Sequence, residues 1–217
     1  MSKYEKYLFL GFTYLCLILL DSVVYAIAFH LSSCLAYVGF VGWSLSRQKQ
    51  NVQTVSTDRQ LTRFDHFRSN SSVLMNNDAA SFILLCLMTR LSFKIGLPIA
   101  LTLAVGLSLI IIGMTIKIWA AKIIGLYGYH WGDFFIPSQR IFYRKGPYLI
   151  CKNPMYGFGY LHAYGFALLM FSWPGLVFAA FDQASIYALY FFIERKQIAD
   201  LAFVSTHAHS VVEEKAA

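Results

Sequence analysis

Residues 97–121 read LPIALTLAVGLSLIIIGMTIKIWAA, and this stretch decides the fold class. Crossing the hydrocarbon core of a bilayer takes about 20 apolar residues of helix. The run supplies them, with Pro98 at its entry, where a helix tolerates proline. The rest of the chain has the same character. Of its 217 residues, 58% are hydrophobic, 17% aromatic and only 13% charged, far more apolar than a water-soluble domain of that size. The reading is an all-α integral membrane helical bundle of about five to six transmembrane segments arranged as hairpins.

The formal charge of +7 does not point to nucleic acid. The basic residues fall in short polar loops between apolar stretches, where they orient a membrane protein and meet anionic lipid heads. A nucleic-acid binder gathers them on one face instead, so no such partner is expected. Cys16, Cys34, Cys86 and Cys151 have no paired spacing and read as small buried hydrophobes rather than a disulfide framework or zinc set. The histidines are likewise scattered, and no metal is expected.

Working outward from residue 97, the N-terminal side opens with Lys3 and Lys6 before an apolar run from Tyr7. That beginning resembles a secretory signal, but hydrophobicity continues to about Leu45, too far for one crossing. Two helices are predicted, about 5–28 and 31–46, turning near His30-Leu31-Ser32-Ser33. Residues 47–78 are polar and read as a cytosolic loop or a short interfacial helix near 61–67. Residues 79–93 suggest a short crossing or re-entrant piece, with Arg90 and Lys94 snorkelling to the headgroups. On the C-terminal side a second hairpin is predicted, about 155–172 and 175–193, folded at Ser172-Trp173-Pro174-Gly175. The division is therefore 1–46 as an N-terminal hairpin, 47–78 as the loop, 79–203 as the core and 204–217 as a tail. Counting Lys and Arg by loop places all the basic loops on one side, the cytoplasmic one.

Polar groups at membrane depth are costly, so where they occur they suggest a site. Lys145-Gly146-Pro147-Tyr148 and Lys152-Asn153-Pro154-Met155-Tyr156 stand where the chain re-enters the membrane, and Glu194-Arg195 ends the hairpin that follows. Tyr156, Tyr160 and Tyr164 recur every four positions and share one helical stripe. Aromatic faces beside one carboxylate suit an organic cation; the competing reading is that the rings only line helix interfaces and the interfacial belt. Arg140, Arg144, Lys145 and Lys152 near the surface would hold a lipid phosphate or carboxylate, or would only enforce topology. A cation pocket beside an anion-binding rim points towards methyl transfer from a positively charged donor to a lipid. Among the loop residues, Asp133 and His130 are chemically able to take the proton that an ammonium acceptor must lose, although His130 also reads as a plain loop residue. Asp21 and Asp182, inside apolar segments, are expected near the far interface or bonded to a neighbouring helix.

A family resemblance rests on several motifs in order. Gly106-Leu107-Ser108-Leu109, Gly113, Lys117-Ile118-Trp119-Ala120-Ala121 and Ile124-Gly125 resemble the helix before the catalytic core of isoprenylcysteine carboxyl methyltransferases. Trp131-Gly132-Asp133-Phe134-Phe135 and Asn153-Pro154-Met155-Tyr156 resemble the Gly-Asp-Tyr-Phe turn and Asn-Pro-Met-Tyr of the phosphatidylethanolamine N-methyltransferases, and Glu194 stands where both groups carry an acidic residue. The likeness covers about residues 97–200. It implies S-adenosylmethionine held by Tyr148, Asn153, Pro154, Tyr156 and Glu194, with Gly113 letting the cofactor approach its helix, and a membrane lipid as acceptor. The chain departs from the pattern at Phe158, at Ile111 and at Arg195 beside Glu194. The substrate implied is the amine of an ethanolamine phospholipid. The alternatives are carboxyl methylation of isoprenylcysteine or another small lipophile, a nicotinamide-dependent reductase of the sterol-reductase type, and a non-catalytic scaffold.

Overall fold

The structure, a computed structural model, describes residues 3–51, 56–93, 96, 98–136 and 145–196. Six α-helices carry it: α1 (Lys3–Leu20), α2 (Val23–Asn51), α3 (Thr57–Met88), α4 (Ile99–Tyr129), α5 (Leu161–Leu169) and α6 (Trp173–Leu189). Among the described residues there is no strand. Four stretches among the described residues are long and apolar enough to cross a membrane: Val23–Gln48, Asp58–Met88, Ile99–Phe134 and Trp173–Glu194. Large apolar side chains face outward, among them Leu8, Phe9 and Phe12 of α1 and Leu107, Ile111 and Ile118 of α4. Such exposure suits lipid as solvent, and the protein is an all-α integral membrane protein.

The first hairpin turns at Asp21 rather than at residues 30–33. Asp21 takes a left-handed φ of 43° and is exposed at the bend. The polar residues near position 30 lie inside α2 and serve as contacts between helices. His30 Nδ1 lies 2.8 Å from Ser81 Oγ, and Asn77 Nδ2 donates to Ser33 Oγ at 2.8 Å. The pairings 30 with 81, 33 with 77 and Phe40 with Phe67 run α2 and α3 antiparallel.

Residues 57–78, expected as a loop or short interfacial helix, are the first two-thirds of α3. Their low hydropathy has a structural cause. Asp58, Arg59, Arg63, Asp65 and His66 are exposed, and the buried face mixes Phe64, Phe67 and Val73 with Gln60, Ser71, Asn77 and Asp78. Polar residues on both faces keep the mean hydropathy low although the segment is helical. Residues 79–88 continue the same helix, so the expected short or re-entrant piece is instead the last third of one long crossing.

Helix α4 begins after Pro98, as its sequence predicts, and packs most extensively on α5. Small residues allow that approach. A side chain on Gly165 would run into the carbonyl of Gly106, and one on Gly113 into the backbone of Leu161 and His162. The predicted turn before α6 is present. Ser172 Oγ accepts the backbone N–H of Gly175 at 2.8 Å and lies 2.6 Å from Thr89 Oγ1, which ties the end of α3 to the start of α6. A core of Tyr37, Val41, Leu45, Phe64, Phe67, Phe134, Phe135 and Ile186 joins α2, α3 and α6 to the turn that follows α4.

Candidate active site

That turn is built by geometry the sequence only hints at. Helix α4 is interrupted at Gly125, with a φ of 67°, and ends at Tyr129. Trp131 then adopts the left-handed conformation, φ 54° and ψ 36°, which is uncommon for a bulky residue and marks a held position. Gly132 must be glycine, because a Cβ there would collide with the ring of Tyr127. The Tyr127 hydroxyl donates to the carbonyls of Gly132 and Ile136, at 2.5 and 3.0 Å, and so clamps the turn. Phe134 and Phe135 enter the core, and the indole of Trp131 is left facing the end of α6.

The opposite wall comes from residues 145–160. Gly146, with a φ of 56°, lets the chain turn against Trp119 and Ile123 into the short helix Gly146–Leu149. In the Asn-Pro-Met-Tyr segment the carbonyl of Asn153 accepts the N–H of Gly157 at 3.1 Å, and that of Pro154 accepts the N–H of Gly159 at 2.8 Å. Gln183 of α6 fixes this loop from beneath. Its Nε2 donates to the carbonyls of Tyr156 and Gly157, at 2.9 and 3.3 Å, while its Oε1 accepts the Tyr164 hydroxyl at 2.8 Å. Helix α6 then loosens into a π-helical turn, Tyr190–Glu194. Such turns insert a residue and re-aim a side chain, often at functional sites. Here the side chain is Glu194.

Glu194 Oε1 accepts two hydrogen bonds, from Trp131 Nε1 at 2.7 Å and from the Tyr156 hydroxyl at 2.8 Å. Burial first, and then the Glu194 carboxylate, push the Tyr156 phenol well above its ordinary pKa. It therefore stays protonated and donates. A cavity of about 140 Å³ opens on this cluster, lined by Tyr129, Trp131, Asp133, Tyr148, Asn153, Pro154, Met155, Tyr156 and Glu194, with Ile124, Gly128 and Phe134. A second cavity of about 540 Å³ shares Tyr129, Trp131, Met155 and Tyr156 with it. It runs between the helices past Tyr37, Asp78, Phe82, Lys117, Tyr160 and Asp182.

Six residues singled out from the sequence thus meet on one cavity: Asp133, Tyr148, Asn153, Pro154, Tyr156 and Glu194. Others do not. Gly113 is occupied by the α4–α5 crossing, so its closeness is to His162 and Leu161 rather than to the cavity. His130 is buried with its ring edge-on to Tyr129, their centroids 5.1 Å apart, and lines neither cavity. Lys145 and Lys152 are exposed, and Arg140 and Arg144 lie outside the described residues. Asp182 does bond a neighbouring helix, through His30. Sequence reasoning missed Trp131 as the partner of Glu194, and it missed Asp78 and Lys117. The signal for the last two was a charged residue at membrane depth.

Residues 101–201 match the phospholipid methyltransferase family. Over 133 residues the chain is 27% identical to a phosphatidylethanolamine N-methyltransferase of Schizosaccharomyces pombe, covering 61% of this chain and 15% of that protein. It is 37% identical over 84 residues to one from Scheffersomyces stipitis, covering 37% of this chain and 10% of that protein. A Saccharomyces cerevisiae protein of the same name is 29% identical over 93 residues, covering 43% and 11%. The chain thus spans between a tenth and a sixth of the length of these curated relatives. No solved structure matches.

Proposed function

We propose that this chain, with its phospholipid methyltransferase segment at 101–201, transfers a methyl group from S-adenosylmethionine to the amine of an ethanolamine phospholipid. The observation that carries the reading is the meeting of Tyr148, Asn153, Tyr156 and Glu194 on one cavity inside that segment. The residues suit the donor. A carboxylate anchored by two hydrogen bonds offers its charge to a cation, and the faces of Tyr129, Trp131 and Tyr156 add ring attraction for it. When bound, S-adenosylmethionine supplies an electrophilic methyl, whose bond to sulfur breaks with its electron pair returning to sulfur as an acceptor lone pair takes the carbon.

The protein's part is alignment and exclusion of water. We assign Tyr148, Asn153, Pro154, Tyr156 and Glu194 to holding the donor, and Asp133 to the same side, since it lines the same cavity as Glu194. The acceptor then enters the larger cavity, with the shared wall of Tyr129, Trp131, Met155 and Tyr156 between the two. We assign Lys145 and Lys152, both exposed, to contact with the anionic lipid surface, and the positive-inside pattern favours a cytoplasmic entrance for the donor. The amine acceptor is favoured by the names of the matched fungal relatives, which are phosphatidylethanolamine N-methyltransferases.

The test is a methylation assay. Purified protein in detergent with labelled donor and phosphatidylethanolamine should give N-methylated headgroups by lipid mass spectrometry. Label found only in a methyl ester of a prenylated cysteine would reject the amine acceptor. Binding of a reduced nicotinamide without binding of the sulfonium donor would reject the donor.

A further inference from the structure

One cluster inside the membrane is left unused by this reading. His30 of α2, Asp78 of α3 and Asp182 of α6 bring a ring nitrogen and two carboxylates within 4.8 Å of one another. All three are buried: His30 is 0% exposed, Asp182 5% and Asp78 9%. His30 Nδ1 lies 2.8 Å from Ser81 Oγ, while Nε2 stands 3.3 Å from Asp182 Oδ2 and makes no hydrogen bond. Asp78 Oδ1 and Asp182 Oδ1 are buried with no hydrogen-bond partner, and both residues line the larger cavity. Two carboxylates buried side by side at membrane depth are costly unless a cation or a shared proton joins them.

We propose that Asp78 and Asp182 form the binding site for the ammonium head of the acceptor phospholipid, at the inner end of the larger cavity. The proposal rests on the methyl-transfer reading above and deepens it. Three N–H donors on a primary ammonium can pair with both carboxylates once their buried oxygens turn toward it, and the rings of Tyr37, Phe82 and Tyr160 on the same walls favour a cation. Lys117 lines this cavity too, with its Nζ 5.8 Å from the centre of the Tyr160 ring. An ethanolamine phosphate is a zwitterion, and carboxylates with a lysine on one wall match both of its charges. A divalent metal on the ligand atoms of His30, Asp78 and Asp182 is the competing occupant, and elemental analysis separates the two. The proton that the nitrogen sheds before methylation goes to a carboxylate of the pair, with the N–H electron pair staying on nitrogen.

The test uses the full chain, purified in detergent, with Asp78→Asn and Asp182→Asn variants. Native mass spectrometry reads retention of phosphatidylethanolamine, with phosphatidylglycerol as a lipid lacking the ammonium. Calorimetry on the same samples reads S-adenosylmethionine affinity, and elemental analysis reads bound metal. Each variant should weaken phosphatidylethanolamine retention about tenfold or more while phosphatidylglycerol and donor binding stay as in the wild type. Asp78→Asn keeps the test valid if loss of the His30 pairing prevents Asp182→Asn from folding. Unchanged retention in Asp78→Asn and in any folded Asp182→Asn would overturn the site. So would a stoichiometric divalent metal that both substitutions remove. A wild-type protein that retains the lipid through these carboxylates but never binds the donor would leave this site standing and remove the methyl-transfer reading instead.

Discussion

The hydroxyl of Tyr156 donates to Glu194 Oε1 at 2.8 Å, joining the Asn-Pro-Met-Tyr loop to the end of α6 across 38 residues of sequence. Burial and the neighbouring carboxylate both raise the phenol's pKa, so the donation persists into alkaline solution rather than failing near pH 10. Tyr156→Phe removes it without emptying the space. Since a hydrogen bond to a charged group is worth about 1.5–3 kcal/mol, donor affinity should fall by about tenfold or more. Titration calorimetry of the variant checks this; an affinity equal to the wild type's would separate Tyr156 from the donor site.

Glu194→Gln asks a different question, whether charge itself matters. The amide keeps an oxygen for Trp131 and Tyr156 but loses the negative charge offered to a sulfonium. The donor is cationic at sulfur and its demethylated product is not, so the substitution should weaken the donor about tenfold more than the product. Competition between the two, read by displacement of a labelled donor, measures the ratio. A parallel loss of both would mean that Glu194 only shapes the wall.

The contrast between these residues and their surroundings shows what a sequence can carry. Asn153, Pro154, Tyr156 and Glu194 were legible because polar and proline residues are expensive where a chain enters a membrane, so their presence alone pointed to a site. Trp131 was quoted in its motif but not as a partner of Glu194, because a left-handed backbone at one residue sets the direction of its indole. Helix α3 is illegible for a different reason: charged residues cover its exposed face near the start while Gln60, Ser71, Asn77 and Asp78 are buried, so its mean hydropathy falls below that of an ordinary crossing. At Gly113 the resemblance implies an approaching cofactor, and the structure sets the backbone of Leu161 and His162 there instead, because a glycine does not say what approaches.

The α4–α5 crossing follows from that last point. A methyl on residue 165 would meet the Gly106 carbonyl and the backbone of Ile110, neither of which can step aside as a side chain does. Gly165→Ala should therefore destabilise the bundle by about 1–3 kcal/mol, the usual cost of forcing a close-packed contact apart. Gly39, with open space around it, is the matched control: Gly39→Ala should leave the melting temperature unchanged or raised. Thermal denaturation in detergent compares them, and equal melting temperatures would refute the crossing.

Gln183 is the last residue whose removal separates structure from alignment. It touches neither cavity wall, yet its amide holds the carbonyls of Tyr156 and Gly157, and it takes the Tyr164 hydroxyl in turn. Gln183→Leu preserves bulk in α6 and frees the loop that carries Asn153 and Tyr156. Loss of two hydrogen bonds at about 1 kcal/mol each predicts a donor affinity lowered by up to about thirtyfold. Tyr164→Phe leaves the amide's two donations in place and should cost no more than about threefold, because it removes only the bond that orients the amide. A merely structural role would move both variants' melting temperatures and leave the donor's affinity alone. The positioning role makes affinity lowest in Gln183→Leu, intermediate in Tyr164→Phe and highest in the wild type, and a reversed order of the two variants would place the restraint on the loop elsewhere than in α6.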